Sequence, residues 1–291
     1  KPMMSERQVA ARLRETSEAK NMIEKFGQPP LATLNNIREW MNIAEIGGCL
    51  SPEQLEEAEK ALVAVERMKK YLCQGKNYHI PLAFYEENLY SCQEIREAIS
   101  RQIRGGQVCD GASRTLKSCR QDIEKEERAM REKADNALRA NKSCMADSFS
   151  TLRNGHICIP VKSEFKSRIK GNIIDRSSTG STVFIEPTAA ARHYDVLQLL
   201  YIEEENEVRR ILYVLTDMLY QQKEVIEQDL CMMEKMDFIF SKAKLSLEYD
   251  GTEPIINTER RIMIKDGRHP LMDKNICVPL QFSIGGEAME L

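Results

Sequence analysis

Between positions 149 and 176 the sequence places six cations, Arg153, Lys162, Lys166, Arg168, Lys170 and Arg176, against two acids, Glu164 and Asp175. The surplus of four positive charges sits in a chain whose net charge is −3. Ammonium and guanidinium groups at this density can neutralise phosphates, so the chemistry on offer is polyanion binding through a local patch. In "FKSRIK" (165–170), Phe165, Ser167 and Ile169 alternate with Lys166, Arg168 and Lys170. If that run is extended, period two puts the three cations on one face. The competing reading of such a row is a solvated strand face.

Other candidates read more plainly. "SSTGS" (177–181) could cradle phosphate through backbone N–H groups, but a hairpin turn using Gly180 for its backbone freedom is the preferred reading. "EEENE" (203–207) reads as a solvated helix face, because positions 203, 204 and 205 point in different directions. Trp40, with Ile37 and Ala44, reads as core. The nine cysteines are odd in number and contain no C-x-x-C pair, and there are only four histidines. Neither a disulfide framework nor a zinc site is visible, which favours reduced, mostly buried thiols in a cytoplasmic protein. No catalytic constellation and no metal ligand can be assigned from spacing. No apolar run of about 18 residues appears, so no membrane partner is expected.

The elements that must carry these residues are mostly helical. Charged residues make up 30% and aromatics 6%, which suits helical bundles or coiled coils. Helices are predicted over about 4–26, ended by Gly27 and Pro29-Pro30, over about 34–46, and from Ser51-Pro52 onward with Ser51 as N-cap. A looser stretch at 77–89 precedes a helix at 91–103, and Gly105-Gly106 breaks the chain. From Ser113 to Ala146 there is no Gly or Pro, and Leu116, Ile123, Met130, Ala137 and Cys144 recur every seven residues. From Thr188 to about Leu247 the same holds, with Ile211/Leu212, Met218/Leu219, Val225/Ile226, Met232/Met233 and Ile239/Phe240 at seven-residue spacing. Two long helices flanking a β-rich insert predict an antiparallel arm with the insert at its tip. In the insert, "HICIPVK" alternates, Pro160 marks an edge or bulge, and Ile173-Ile174 and Val183–Ile185 flank the turn. Strands are expected only at about 149–187 and 255–284. Starting at Lys1 and stopping at Leu291, the chain reads as an excised piece of a larger protein.

These residues carry a resemblance. "LRNGHICIPVKSEFKSRIKGNIIDRSSTGSTVFIEP" (152–187) resembles the central signature of the bacterial MutS paralogues of the second type, the MutS-two family. "PPLATLNNIREWMNIAEIGGCLSPEQL" (29–55) and "DGRHPLM" (266–272) are similar to family stretches in the same order. The resemblance covers nearly the whole chain, and its middle signature is specific, whereas "GRHPL" is shared by all MutS-like proteins. It implies a mainly α fold: a helical core over 1–110 rejoined at 234–250, lever helices at 111–147 and 188–233, a β-rich clamp at 148–187, and the first strands of a truncated ATPase domain from 251 to 291. It places Arg268, His269 and Pro270 near the nucleotide of that domain, although a strand-to-loop role suits His269 equally.

The resemblance also sets expectations of function. No G-x-x-x-x-G-K-[ST] occurs in the chain, and the C-terminal nuclease domain of the family is absent, so the chain is expected neither to use ATP nor to cut DNA alone. No cofactor is expected in it; ATP and Mg belong to the longer parent. "EPIINTERRI" (253–262) offers Ile256 and Asn257 where relatives stack an aromatic on adenine, so no stacking residue is carried over. The implied partners are branched or duplex DNA, in suppression of homologous recombination, or stalled ribosomes and their rRNA, with a homodimer in the full-length protein. A coiled-coil scaffold that binds only protein is the alternative. A nuclease with its catalytic residues in this chain is the weakest reading, for want of a carboxylate or histidine cluster.

Overall fold

Ser51 opens the helix Pro52–Lys76 with a reciprocal pair of bonds: the Gln54 N–H donates to Ser51 Oγ (3.3 Å), and the Ser51 N–H donates to Gln54 Oε1 (2.9 Å). This capping box satisfies two amide donors that a helix start otherwise leaves open. The computed structural model describes residues 5–285 apart from Thr33, Asn35 and Lys274. The last six residues of "SIGGEAMEL", and Met4 at the start of the first expected helix, therefore lie outside the described residues.

In chain order the helices are α1 (Glu6–Phe26), α2 (Ile37–Glu45), α3 (Pro52–Lys76), α4 (Gln93–Gln102), α5 (Arg114–Ala140), α6 (Thr188–Tyr220) and α7 (Lys223–Glu248). The strands are β1 (Ile103–Arg104), β2 (Gln107–Val108), β3 (Thr151–Arg153), β4 (His156–Lys162), β5 (Gly171–Arg176), β6 (Thr182–Pro187), β7 (Ile262–Gly267) and β8 (Leu280–Ile284). The fold is mainly helical with small antiparallel sheets. The chain divides into two units, one from 1–35, 60–92 and 222–291, the other from 36–59 and 93–221.

The first unit is built on α1, the later turns of α3, and α7. Its core gathers Met22 and Ile23 of α1, Met68 and Leu72 of α3, and Met233, Ile239 and Phe240 of α7. Tyr71 stands edge-on to Phe240 and donates its hydroxyl to Gly27 O (2.8 Å), closing the turn where α1 stops. Burial pushes the Tyr71 phenol up to about 12. A 3-10 helix, Pro81–Asn88, fills the looser stretch, and the Glu18 carboxylate accepts from the Leu82 N–H (2.9 Å). The hairpin β7–β8 belongs to this unit, and Ile262, Leu280, Phe282 and Ile284 on it are exposed.

The second unit is built on the pair α5 and α6. Ser113 Oγ donates to Glu207 (2.6 Å), Arg120 Nε to Glu204 (2.7 Å), and His193 Nδ1 lies 2.6 Å from Glu126. Partners fall from 207 to 193 as α5 rises from 113 to 126, so the two helices run antiparallel. Leu116, Ile123 and Met130 are buried at the expected seven-residue spacing. Beyond Met130 the stripe drifts to Ala134 and Leu138, as a 3.6-residue helix must against a seven-residue repeat. The acid run is more than a solvated face, because Glu204 and Glu207 both bond across to α5. Arg210 first, then Ser113, pulls the Glu207 carboxyl down to about 2.

Three expectations are corrected. The helix expected to run from Thr188 to about Leu247, and with it the lever helix 188–233, is interrupted at Gln221–Gln222, where the chain passes from one unit to the other. The stripes on either side, Ile211–Leu219 and Ile226–Phe240, serve separate units; the Gln221 N–H still donates to Asp217 O (2.9 Å) and Gln222 O still accepts from the Ile226 N–H (2.9 Å), but neither exposed glutamine buries a side chain to carry the helix through. The first long helix stops at Ala140, where the Asn141 side chain donates back to Ala137 O (2.9 Å), and a 3-10 turn, Lys142–Cys144, follows. Finally, strand is not confined to 149–187 and 255–284. Gly105 and Gly106, at φ 60° and 71°, turn a two-residue hairpin between β1 and β2.

Candidate nucleic-acid interface

The basic stretch lies on and beside a four-stranded antiparallel sheet of order β3-β4-β6-β5. Its inner face, Ile157, Ile159 and Val161 of β4 with Val183 and Ile185 of β6, packs on Met130, Ala134 and Leu138 of α5 and on Ala190 and Leu197 of α6. Period two sends the alternate residues to the other face. β4 pairs with β3 through 156–158 and with β6 through 159–162. Pro160 stands where the β3 ladder has ended. Its carbonyl accepts from the Ala146 N–H (2.9 Å), away from β6, so its missing N–H is not needed by the β6 ladder.

The hairpin β5–β6 turns through Ser177–Ser181. The Ser177 N–H donates to Thr182 O (2.9 Å), the Gly180 N–H to Ser177 O (2.9 Å), and the Thr182 N–H to Ser177 Oγ (3.0 Å). Gly180 has φ 72°. These amides are engaged inside the turn, which is the hairpin reading of "SSTGS". At the other end of β5, a Cβ on Gly171 would sit 2.1 Å from Glu186 O, so only glycine lets the two strands pair there. Both Ile173 and Ile174 cannot face inward on a regular strand, and the register shifts between Ile173 and Asp175.

The expectation of an extended "FKSRIK" run is overturned. Ser163–Arg168 forms a 3-10 helix, not a strand. Three residues per turn eclipse positions i and i+3, and the Arg168 guanidinium lies over the Phe165 ring at 5.1 Å while Ile169 is buried. Lys166, Arg168 and Lys170 therefore do not form one row on a strand face. Lys162 and Arg176 end β4 and β5 on either side of β6, beside the turn. Lys170 precedes β5 at its far end, where its carbonyl accepts the Thr188 N–H (3.1 Å). Six strand steps separate it from Arg176, about 20 Å. Arg153 is spent locally: its guanidinium lies 4.3 Å from the Phe184 ring centre, and its Nε is 3.9 Å from Asp175 Oδ2. Among the described residues Lys162, Lys166, Lys170 and Arg176 have no carboxylate partner; Lys162 opposite Thr182 and Arg176 opposite Val183 fall on alternate faces, so the free charge surrounds the β5–β6 pair and does not form one row.

One polar group on the sheet carries no signal in residue spacing. Glu186 is 2% exposed with its Oε1 hydrogen-bonded to His156 Nδ1 at 2.9 Å, and the His156 ring lies against Tyr194 at 4.0 Å between centroids. Beside them burial, then the charges of Glu186 and Asp175, push the Cys158 thiol up to about 11, so it is a protonated, inert thiol. No group of three or more His, Cys, Asp or Glu that could hold a metal occurs among the described residues. Arg268, His269 and Pro270 follow β7 in an exposed turn, where His269 Nδ1 accepts from the Leu271 N–H (3.2 Å). Among the described residues no helix is long and apolar enough to cross a membrane.

No protein-family model matches the chain. Among curated proteins it is 34% identical over 290 residues to "Endonuclease MutS2" of Clostridium perfringens (strain SM101 / Type A), a match covering 99% of this chain and 37% of that protein. It is 32% identical over 290 residues to the protein of the same name in Alkaliphilus oremlandii (98% and 37%), and 34% over 277 residues to that of Geobacillus sp. strain WCH70 (93% and 35%). The chain thus spans a little over a third of the length of the relatives it matches. The alignment runs through the 152–187 signature as well as both flanking stretches, and the chain belongs to the MutS-two family.

Proposed function

We propose that the chain is the nucleic-acid-clamping part of a MutS-like ATPase, gripping branched or duplex DNA through the phosphates. In this reading α5 and α6 act as levers, the sheet β3–β6 with its flanking 3-10 helix is the clamp, the helices of the first unit belong to the core, and β7–β8 begins the ATPase domain. The observation that carries it is the set of unpaired cations on a sheet mounted at the end of an antiparallel helix pair. Their spread of about 20 Å matches some six phosphate steps at 3.4 Å along one strand. Among the described residues no helix projects from the sheet to enter a groove, so contacts go to phosphates and not to base edges. The exposed apolar faces of β7–β8 suit a hairpin that packs against further strands of a nucleotide-binding domain. ATP, Mg and a dimer belong to the whole protein, and so does the nuclease activity in the relatives' name. Without a phosphate loop the chain itself holds no β- and γ-phosphates and hydrolyses nothing.

Titrating the chain against labelled duplex, a four-way junction and structured RNA over a salt series tests the proposal. Weak binding to DNA, with log affinity falling by about three to four per log unit of salt, supports it. A steep slope on RNA with a flat one on DNA moves the target to the ribosome. Salt-independent or absent binding to all three favours the protein-scaffold alternative.

A further inference from the structure

After α5 ends at Ala140, the chain turns through Lys142–Cys144 and returns toward the sheet, where Met145 bridges Val161 and the Ala146 N–H reaches Pro160 O. These bonds hold the segment 145–150 apart from the last turns of α5 and leave a groove of about 960 Å³. Leu138 and Met145, both buried, give it an apolar floor. Two exposed cations, Arg139 and Lys142, line it, and so does Phe149, whose surface is 56% exposed. Its two acids are already engaged: Asp135 accepts from Ser150 Oγ (2.9 Å), and Asp147 from the Ser148 N–H (2.7 Å). Neither Arg139 nor Lys142 has a carboxylate partner among the described residues.

An exposed aromatic ring beside unpaired cations is the pairing that single-stranded nucleic acid uses, the ring stacking a base and the cations tracking the backbone. We infer that this groove receives an unpaired nucleotide, its base stacked on Phe149 and its phosphate held by Arg139 and Lys142. The inference rests on the clamp reading and deepens it, adding to duplex phosphate contacts a site that prefers strands with unstacked bases. The groove's last lining residue, Ser150, directly precedes β3, so the groove adjoins the sheet that carries the basic stretch. The volume is at the upper end of small-ligand sites and accommodates a nucleotide.

The test uses the full chain and two labelled probes, one duplex with and one without an unpaired thymidine tract. Phe149→Ala should weaken binding to the gapped probe about tenfold and leave the intact duplex unchanged. Arg139→Ser with Lys142→Ser should lower the salt slope on the gapped probe by roughly one to two. All three side chains are exposed, and matching circular dichroism spectra would show that the variants fold. Equal effects of Phe149→Ala on both probes, or none on either, overturn the inference while leaving the clamp reading standing if the wild type still binds duplex. Displacement by an acidic, phenylalanine-containing peptide but not by oligothymidylate would assign the groove to a peptide and also overturn it. Failure of the wild type to bind either probe overturns both readings.

Discussion

Replacing Asp229 by Asn should stabilise the first unit, and the gain should depend on pH. Asp229 lies on α7 and is 1% exposed. Its Oδ1 accepts the Tyr90 N–H at 2.6 Å, but its Oδ2 is buried without a partner. Burial raises its carboxyl from 3.8 to about 6, against the smaller opposing pulls of the Tyr90 amide and the Lys69 ammonium. The charged and titratable groups around it are Lys69 of α3, which also donates to Leu89 O, and Cys92, whose thiol burial and then Asp229 push up to about 11. Because the folded carboxyl has the higher pKa, the native state binds the extra proton between pH 4 and pH 6. Stability therefore falls as pH rises through that window and stays low above it. The full penalty for a rise of this size is about 3 kcal/mol, of which roughly half develops between pH 5 and pH 7.5. An asparagine keeps the Tyr90 contact and never ionises. Urea unfolding of both proteins, followed by far-ultraviolet circular dichroism because the single tryptophan, Trp40, belongs to the other unit, should show the variant gaining about 1–2 kcal/mol more at pH 7.5 than at pH 5. A stability difference identical at the two pH values would refute the buried, half-satisfied carboxylate.

Two further outcomes can be checked. Gly171→Ala should force β5 and β6 apart at Glu186 O and cost about 1–3 kcal/mol, read as lost amide-exchange protection across 182–187 with protection in α7 unchanged. The purified chain should hydrolyse ATP no faster than a buffer blank, and turnover well above it would mean that a phosphate site exists outside the expected motif.

The sequence made the long helices and the β5–β6 hairpin legible because each rests on one dominant signal. Leu116, Ile123 and Met130 report a buried stripe directly, and Gly180 between two apolar runs reports a turn. Other features depended on competition between signals. "FKSRIK" alternates as a strand would, yet its Phe165 and Arg168 also stand three apart, and stacking of that pair in a 3-10 turn won. The pause at Gln221–Gln222 carries no Gly or Pro and reflects only which cores the flanking stripes serve. Charge counting found the six cations but not their distances, so Arg153, tied to Phe184 and Asp175, could not be told from the free Lys162 and Lys166. Arg139 and Lys142 fell outside the counted stretch and Phe149 stood unremarked at its first position, because a helix expected to reach 147 hides the groove that its early end creates.

The central claim is that the free cations of the sheet meet phosphates. The most direct measurement compares the salt dependence of duplex binding by the wild type with that of the Lys162→Ser, Lys166→Ser, Lys170→Ser triple variant. Each phosphate contact contributes about 0.9 to the slope, so losing three should flatten it by two to three. The variant should remain folded, since all three side chains are exposed and the packed inner face is untouched. A flattening of that size is the predicted result; identical slopes for the two proteins would contradict it and remove the basic sheet from the binding mechanism.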